Sequence, residues 1–142
     1  MTSAMLECTG EPFDLAYSQT AQRPVVLIVE DEFLIRMDAI DMIGAGGFEV
    51  VEAKNADEAI EILERRLDIT FVFTDVHMPG SMDGLKLAAA VRGRWPPIRI
   101  VATSGKANLS AEDFPSGSRF LRKPYSAREI VSALREVTGH SL

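Results

Sequence analysis

Two stretches put carboxylates where they could share work. Val25 to Glu32, VVLIVEDE, is an apolar run that closes on Glu30, Asp31 and Glu32. Val72 to Gly80, VFTDVHMPG, begins as an apolar run, reaches Asp75 and then turns through Pro79 and Gly80. Two later runs also end on polar groups. IRIVATSG, residues 98 to 105, ends on Thr103 and Ser104, and SRFLRKP, residues 118 to 124, ends on Lys123. A set of acids without other ligand types suits a hard cation, Mg²⁺ above all. A carboxylate such as Asp75 can serve as a nucleophile and carry a phosphoryl group. Lys123 offers a mobile cation for a phosphoryl oxygen. Ser104 offers a hydroxyl donor, in preference to Thr103 because the small Gly105 follows it.

These groups work together only if the chain brings the ends of the runs to one edge. The short continuous apolar runs suit strands covered on both faces. Five are expected: Val25 to Val29, residues 48 to 53, 69 to 75, 98 to 105 and 118 to 124. Helical segments separate them. The first has Leu34, Ile35, Met37, Ile40, Met42 and Ile43 as a broad apolar face and stops at Gly44, Gly46 and Gly47. The second opens at Asn55 with Glu58 in capping-box spacing and points Ala59, Ile60, Leu63 and Leu67 inward. The third covers residues 83 to 95. Residues 106 to 118 leave room for only a short fourth. The last opens at the Ser126 to Glu129 capping box and points Ala127, Ile130, Val131, Leu134 and Val137 inward. Alternation of this kind argues an α/β, flavodoxin-like, doubly wound sheet of five parallel strands, order 2-1-3-4-5, with five helices. Its ligand crevice lies at the carboxyl ends of neighbouring strands 1 and 3, where Glu30, Asp31 and Asp75 converge. Three bare carboxylates raise one another's pKa, so the arrangement calls for a cation among them.

The totals exclude several classes. At 142 residues the chain is sized for one domain, and 46% hydrophobic with 25% charged residues is ordinary for a globular protein. A net charge of −6 disfavours direct nucleic-acid binding, which needs a basic face. The single cysteine, Cys8, rules out an internal disulfide and a multi-cysteine zinc site. No membrane-length apolar window or signal-peptide pattern is present, which points to a cytoplasmic protein without a membrane partner. Residues 1 to 23 are read as a flexible N-terminal extension, and residues 24 to 142 as the folded domain. The glycines at 44, 46 and 47 follow a helix and lack a Lys-Ser/Thr, so they read as a helix stop and not a phosphate loop.

Glu30-Asp31, Asp75 with Met78-Pro79, Ser104-Gly105 and Lys123-Pro124 together resemble the signature of the receiver domain of two-component response regulators. The resemblance covers about residues 24 to 138. It implies that Asp75 accepts a phosphoryl group from a sensor histidine kinase. It implies that Asp31 binds Mg²⁺ directly and Glu30 through water, with the His77 backbone carbonyl as a further ligand. Ser104 and Lys123 would hold the phosphoryl oxygens, and Phe120 would be an aromatic switch residue that follows Ser104. The Lys123-Pro124 bond would be cis. Receiver-like modules also often dimerise through the fourth helix, fifth strand and fifth helix.

Three features depart from the pattern. Gly80-Ser81 lengthens the loop after Met78-Pro79, Phe120 lacks the hydroxyl of the commoner tyrosine, and Pro115 and Gly117 interrupt the fourth helix. With the last helix followed at once by the end of the chain, a single-domain regulator is expected, acting on a downstream protein or a phosphotransfer protein. Such a module is a phosphoacceptor and not an enzyme in the ordinary sense. One rival is a Mg²⁺-dependent aspartyl phosphatase of the haloacid dehalogenase type, but that class wants a second acid two residues after the nucleophile, where this chain has His77. The other is a receiver-like binding module that works without phosphorylation. The side chain of His77 is expected to face solvent.

Overall fold

The computed structural model describes residues 23–78, 80, 82–106 and 109–137, for Val137 the backbone alone. The N-terminal extension up to residue 22, Cys8, Pro79 and His140 lie outside the described residues.

Five strands alternate with helices: β1 Val25–Val29, α1 Phe33–Ala45, β2 Glu49–Ala53, α2 Ala56–Arg65, β3 Ile69–Asp75, α3 Gly84–Arg94, β4 Arg99–Ser104, β5 Arg119–Arg122 and α4 Ala127–Val137. All four pairings are parallel, in the order β2-β1-β3-β4-β5. The alternation of side chains along a strand divides the interior into two layers. Val25, Leu27 and Val29 of β1 face one cluster with Ala59 and Leu63 of α2 and Leu87 and Val91 of α3. Val26 and Ile28 face the other, with Ala39 and Ile43 of α1 and Ile130, Ala133 and Leu134 of α4. Both faces of the central strands β1 and β3 are therefore dry, which is why their sequences are almost continuously apolar, while the edge strands β2 and β5 carry exposed charged residues.

Three helices are opened by side-chain caps. Asn55 accepts from Glu58 N at 2.8 Å, and Asp83 Oδ1 accepts from Lys86 N at 2.9 Å. Ser126 and Glu129 form the expected reciprocal box, at 3.1 and 2.8 Å. At α2 the box is only half formed, because Glu58 Oε1 accepts from Lys54 N and not from the cap residue.

Several expectations need correction. Among the described residues there are four α-helices and not five. The fourth is reduced to a 3-10 turn, Ala111–Asp113, opened by a Ser110–Asp113 capping box. Pro115 disfavours helical backbone at Phe114, and Gly117 adopts φ +89°, so the segment has no length in which to propagate a helix. The inward face of α1 is also different. Arg36, Ala39 and Ile43 are buried, while Phe33 and Leu34 are 60% and 76% exposed. Leu67 falls beyond the end of α2 and is 95% exposed, and Ala127, at the start of α4, is exposed.

These placements separate two leucines that the sequence treats alike. Leu63→Ala removes a side chain from the closed layer and should cost about 2–5 kcal/mol, read by urea denaturation. Leu67→Ala should stay within about 0.5 kcal/mol of the parent chain.

Candidate functional site

Parallel pairing of β1 with β3, and of β3 with β4, brings the carboxyl ends of these strands side by side. Glu30 follows β1 directly, anchored by its N–H to Ala53 O at 3.1 Å. Its Oε2 accepts from Glu32 N at 3.1 Å, so the acid's own turn holds it inward. Asp75 closes β3. Glu30 and Asp75 are buried, at 4% and 6% exposure, and Asp31 is the most open of the three. Each of the three offers a carboxylate oxygen within 4.8 Å of the others'. Lys123, just past β5, reaches across with Nζ 3.2 Å from Asp75 Oδ1 and 3.4 Å from Glu30 Oε1. It arrives there because its N–H bonds Ser104 O at 2.9 Å, which continues the sheet ladder by one residue. The next peptide bond, Lys123-Pro124, is cis.

Three carboxylates and one ammonium leave two negative charges uncompensated in the cluster. Burial, reinforced by Asp75, pushes the Glu30 carboxyl above its usual range, against the opposing pull of the Glu32 N–H and Lys123. Desolvation works to lower the Lys123 pKa, but the two carboxylates outweigh it and the ammonium is held more firmly than in water. The donor set is all oxygen, dense and short of positive charge, which fits Mg²⁺. The cleft holding it, about 320 Å³, is lined by Asp31, Glu32, Asp75, His77, Gly105, Lys106 and Lys123. A wider cleft of about 590 Å³ runs along α4 between Arg128 and Glu136, but no acids converge there.

Ser104, at the end of β4, has no exposed surface. Its Oγ accepts from Lys106 N at 2.9 Å and lies 3.0 Å from His77 Nε2. The His77 ring is on an exposed residue, as expected, yet it is tied to Ser104, which was not. Phe120 is half-buried, stacked on Phe114 at a centroid distance of 5.5 Å, with the Arg122 guanidinium 5.5 Å from its ring. It pairs with Ala102 on β4, whereas Ser104 pairs with Arg122, so the two residues named for the switch stand one strand alternation apart.

Three supporting residues escaped the sequence reading. Arg36, buried on α1, donates from Nη1 to Glu30 O at 2.8 Å and from Nε to Glu52 Oε1 at 2.8 Å, binding the ends of β1 and β2. An arginine inside a run of apolar residues gives no sign of which way it points. Tyr125 packs edge-on to Phe73 at 5.8 Å, and burial, then Glu30 and Asp75, pushes its hydroxyl pKa to about 12. Gly84 donates its N–H to Val76 O at 2.8 Å. A Cβ there would lie 2.3 Å from Asp75 O and 2.6 Å from Val76 Cα. The glycine after Asp83 is thus required by backbone contact with the phosphoacceptor candidate.

A doubly wound α/β module carrying an acid triad and a lysine at its switch-point edge is the class defined by this fold and site. Residues 26–135 match the response regulator receiver domain, and the chain belongs to that family. It is 34% identical over 116 residues to the sensor kinase CckA of Brucella abortus, covering 79% of this chain and 12% of the kinase. It is 35% identical over 125 residues to the transcriptional regulatory protein PdtaR of Mycobacterium tuberculosis, covering 80% of this chain and 60% of that protein. The chain thus spans less than two thirds of these relatives. A response regulator receiver protein from Sinorhizobium medicae superposes with a TM-score of 0.78 at 26% identity, over 84% of this chain and 98% of its own. No helix among the described residues is long and apolar enough to cross a membrane.

The charge shortage has a measurable cost. Glu30 has its pKa raised by folding, so its protonated form is favoured in the fold, and stability is gained as pH falls through the raised value. Glu30→Gln keeps an acceptor for Glu32 N and removes the charge. It should raise Tm in Mg²⁺-free buffer at pH 7 and weaken Mg²⁺ binding, read by calorimetry on the same samples. Gly84→Ala should lower stability by about 2–4 kcal/mol in chemical denaturation, because backbone and not a flexible side chain must yield.

Proposed function

We propose that this chain is a phosphoacceptor module in which Asp75 takes a phosphoryl group from a sensor histidine kinase. The observation that carries the reading is the Lys123 contact to Asp75 and Glu30 inside an acid cluster still short of positive charge. In the transfer, a carboxylate oxygen of Asp75 forms a bond to phosphorus while the bond from phosphorus to the kinase imidazole nitrogen breaks. The electron pair leaves with the imidazole. Lys123 and the Ser104 hydroxyl then hold phosphoryl oxygens, and Lys123 exchanges a carboxylate partner for a phosphoryl one. Asp31, Glu30 and Asp75, with the His77 backbone carbonyl, would hold Mg²⁺, which supplies positive charge against the incoming phosphoryl oxygens.

The output follows from local charge. Phosphorylation adds about −1.5 to −2 charge at the end of β3. Ser104 is drawn to the new group, and Phe120 turns in response, so the surface of β4, β5 and α4 changes shape as a two-state shift. The module is proposed to act in the cytoplasm as a single-domain regulator, through a downstream protein or a phosphotransfer protein, with no nucleic-acid contact of its own. Homodimerisation through the surface of the 3-10 turn, β5 and α4 is part of the same proposal. The phosphatase reading is disfavoured because the position of its general acid holds His77, whose ring is engaged with Ser104.

Incubation with acetyl phosphate and Mg²⁺ should add one phosphoryl mass to the intact chain. The gain should vanish in Asp75→Asn and without Mg²⁺. A gain that persists in Asp75→Asn would move the phosphoacceptor elsewhere and defeat the reading.

A further inference from the structure

Ser104 carries one hydroxyl proton and can accept two hydrogen bonds. Lys106 N–H, which can only donate, fills one acceptor position at 2.9 Å. The residue has no exposed surface, so its proton must find a protein acceptor or stay unpaired at a cost. Among the described residues the acceptor within reach is His77 Nε2, at 3.0 Å. With Nε2 as the acceptor, a neutral ring carries its own proton on Nδ1.

We propose that His77 is a latch: its Nε2 holds the Ser104 hydroxyl proton and withholds it from the group that Asp75 receives. This deepens the phosphoacceptor reading and rests on it. A hydroxyl has one proton, so Ser104 cannot donate to His77 and to a phosphoryl oxygen together. Each phosphorylation must open the latch, and the fraction of molecules in which it is open scales the apparent affinity for the phosphoryl-bearing state. His77 is in this sense a positioning residue. It lines the same cleft as Asp75 and Lys123, and it biases the chain toward the resting state through Ser104.

Two measurements on the full chain test it. In ¹⁵N-histidine spectra at pH 8, His77 should show a bare Nε2 and a protonated Nδ1, and Ser104→Ala should erase that preference. A neutral His77 ring protonated on Nε2 would overturn the proposal. Calorimetric titration with Mg²⁺ plus beryllofluoride, a phosphoryl mimic, should then show His77→Ala binding about fivefold tighter than the parent. In a Ser104→Ala background, the same substitution should change affinity less than about twofold. A His77→Ala variant that binds no tighter, or that gains as much without Ser104, sinks the latch while leaving the phosphoacceptor reading intact. Normal Mg²⁺ affinity with no beryllofluoride binding in the parent chain would instead defeat the phosphoacceptor reading, and the latch with it.

Discussion

The ion contacts of Lys123 with Asp75 and Glu30 hold the site in an unfinished balance. Two buried carboxylates and a more open third crowd one sheet edge, and a single ammonium answers them. Such a cluster persists only because the surrounding fold is closed and rigid enough to bear its cost. The same shortage of positive charge makes the edge receptive to a dication and to chemistry that redistributes charge. Stability and reactivity are therefore opposed at these residues, and the two dry layers of the sheet supply the difference.

The rest of the molecule serves that edge. Parallel pairing with one register irregularity, between Val25 and Val26, aligns the ends of β1 and β3. Arg36, from α1, bonds both the Glu30 backbone and Glu52, so the acid-bearing turn is held to α1 and β2 together. Gly84 lets the start of α3 rest on the Asp75 backbone, which fixes the candidate nucleophile from below. Val76 N–H bonds Thr103 O at 3.0 Å and Lys123 N–H bonds Ser104 O, so β3, β4 and β5 deliver Asp75, Ser104 and Lys123 with one continuous ladder.

Most of this was legible in the sequence. Strands covered on both faces must be apolar throughout, so β1, β3 and β4 announce themselves, and the polar residue that ends each run marks the edge. The strand order followed from alternation and brought Glu30, Asp31, Asp75 and Lys123 together correctly. The failures share a cause. The first helix is apolar nearly all round, so periodicity could not say that Arg36 is buried while Phe33 and Leu34 are exposed. The tie between His77 and Ser104, and the packing of Tyr125 beside the acids, are contacts between distant segments that no local pattern encodes. The 3-10 turn at Ala111–Asp113 was foreshadowed by Pro115 and Gly117, but propensity alone does not set how much helix survives.

The most direct test of the charge balance is the Mg²⁺-induced rise in Tm of the parent chain against Lys123→Met. If Lys123 and the metal answer the same negative charge, removing the ammonium leaves the acids less satisfied without metal. The variant should then melt lower in its absence and gain more from Mg²⁺ than the parent. An equal or smaller gain in Lys123→Met would mean that the lysine and the cation do not share the cluster, and the account of the site would fail.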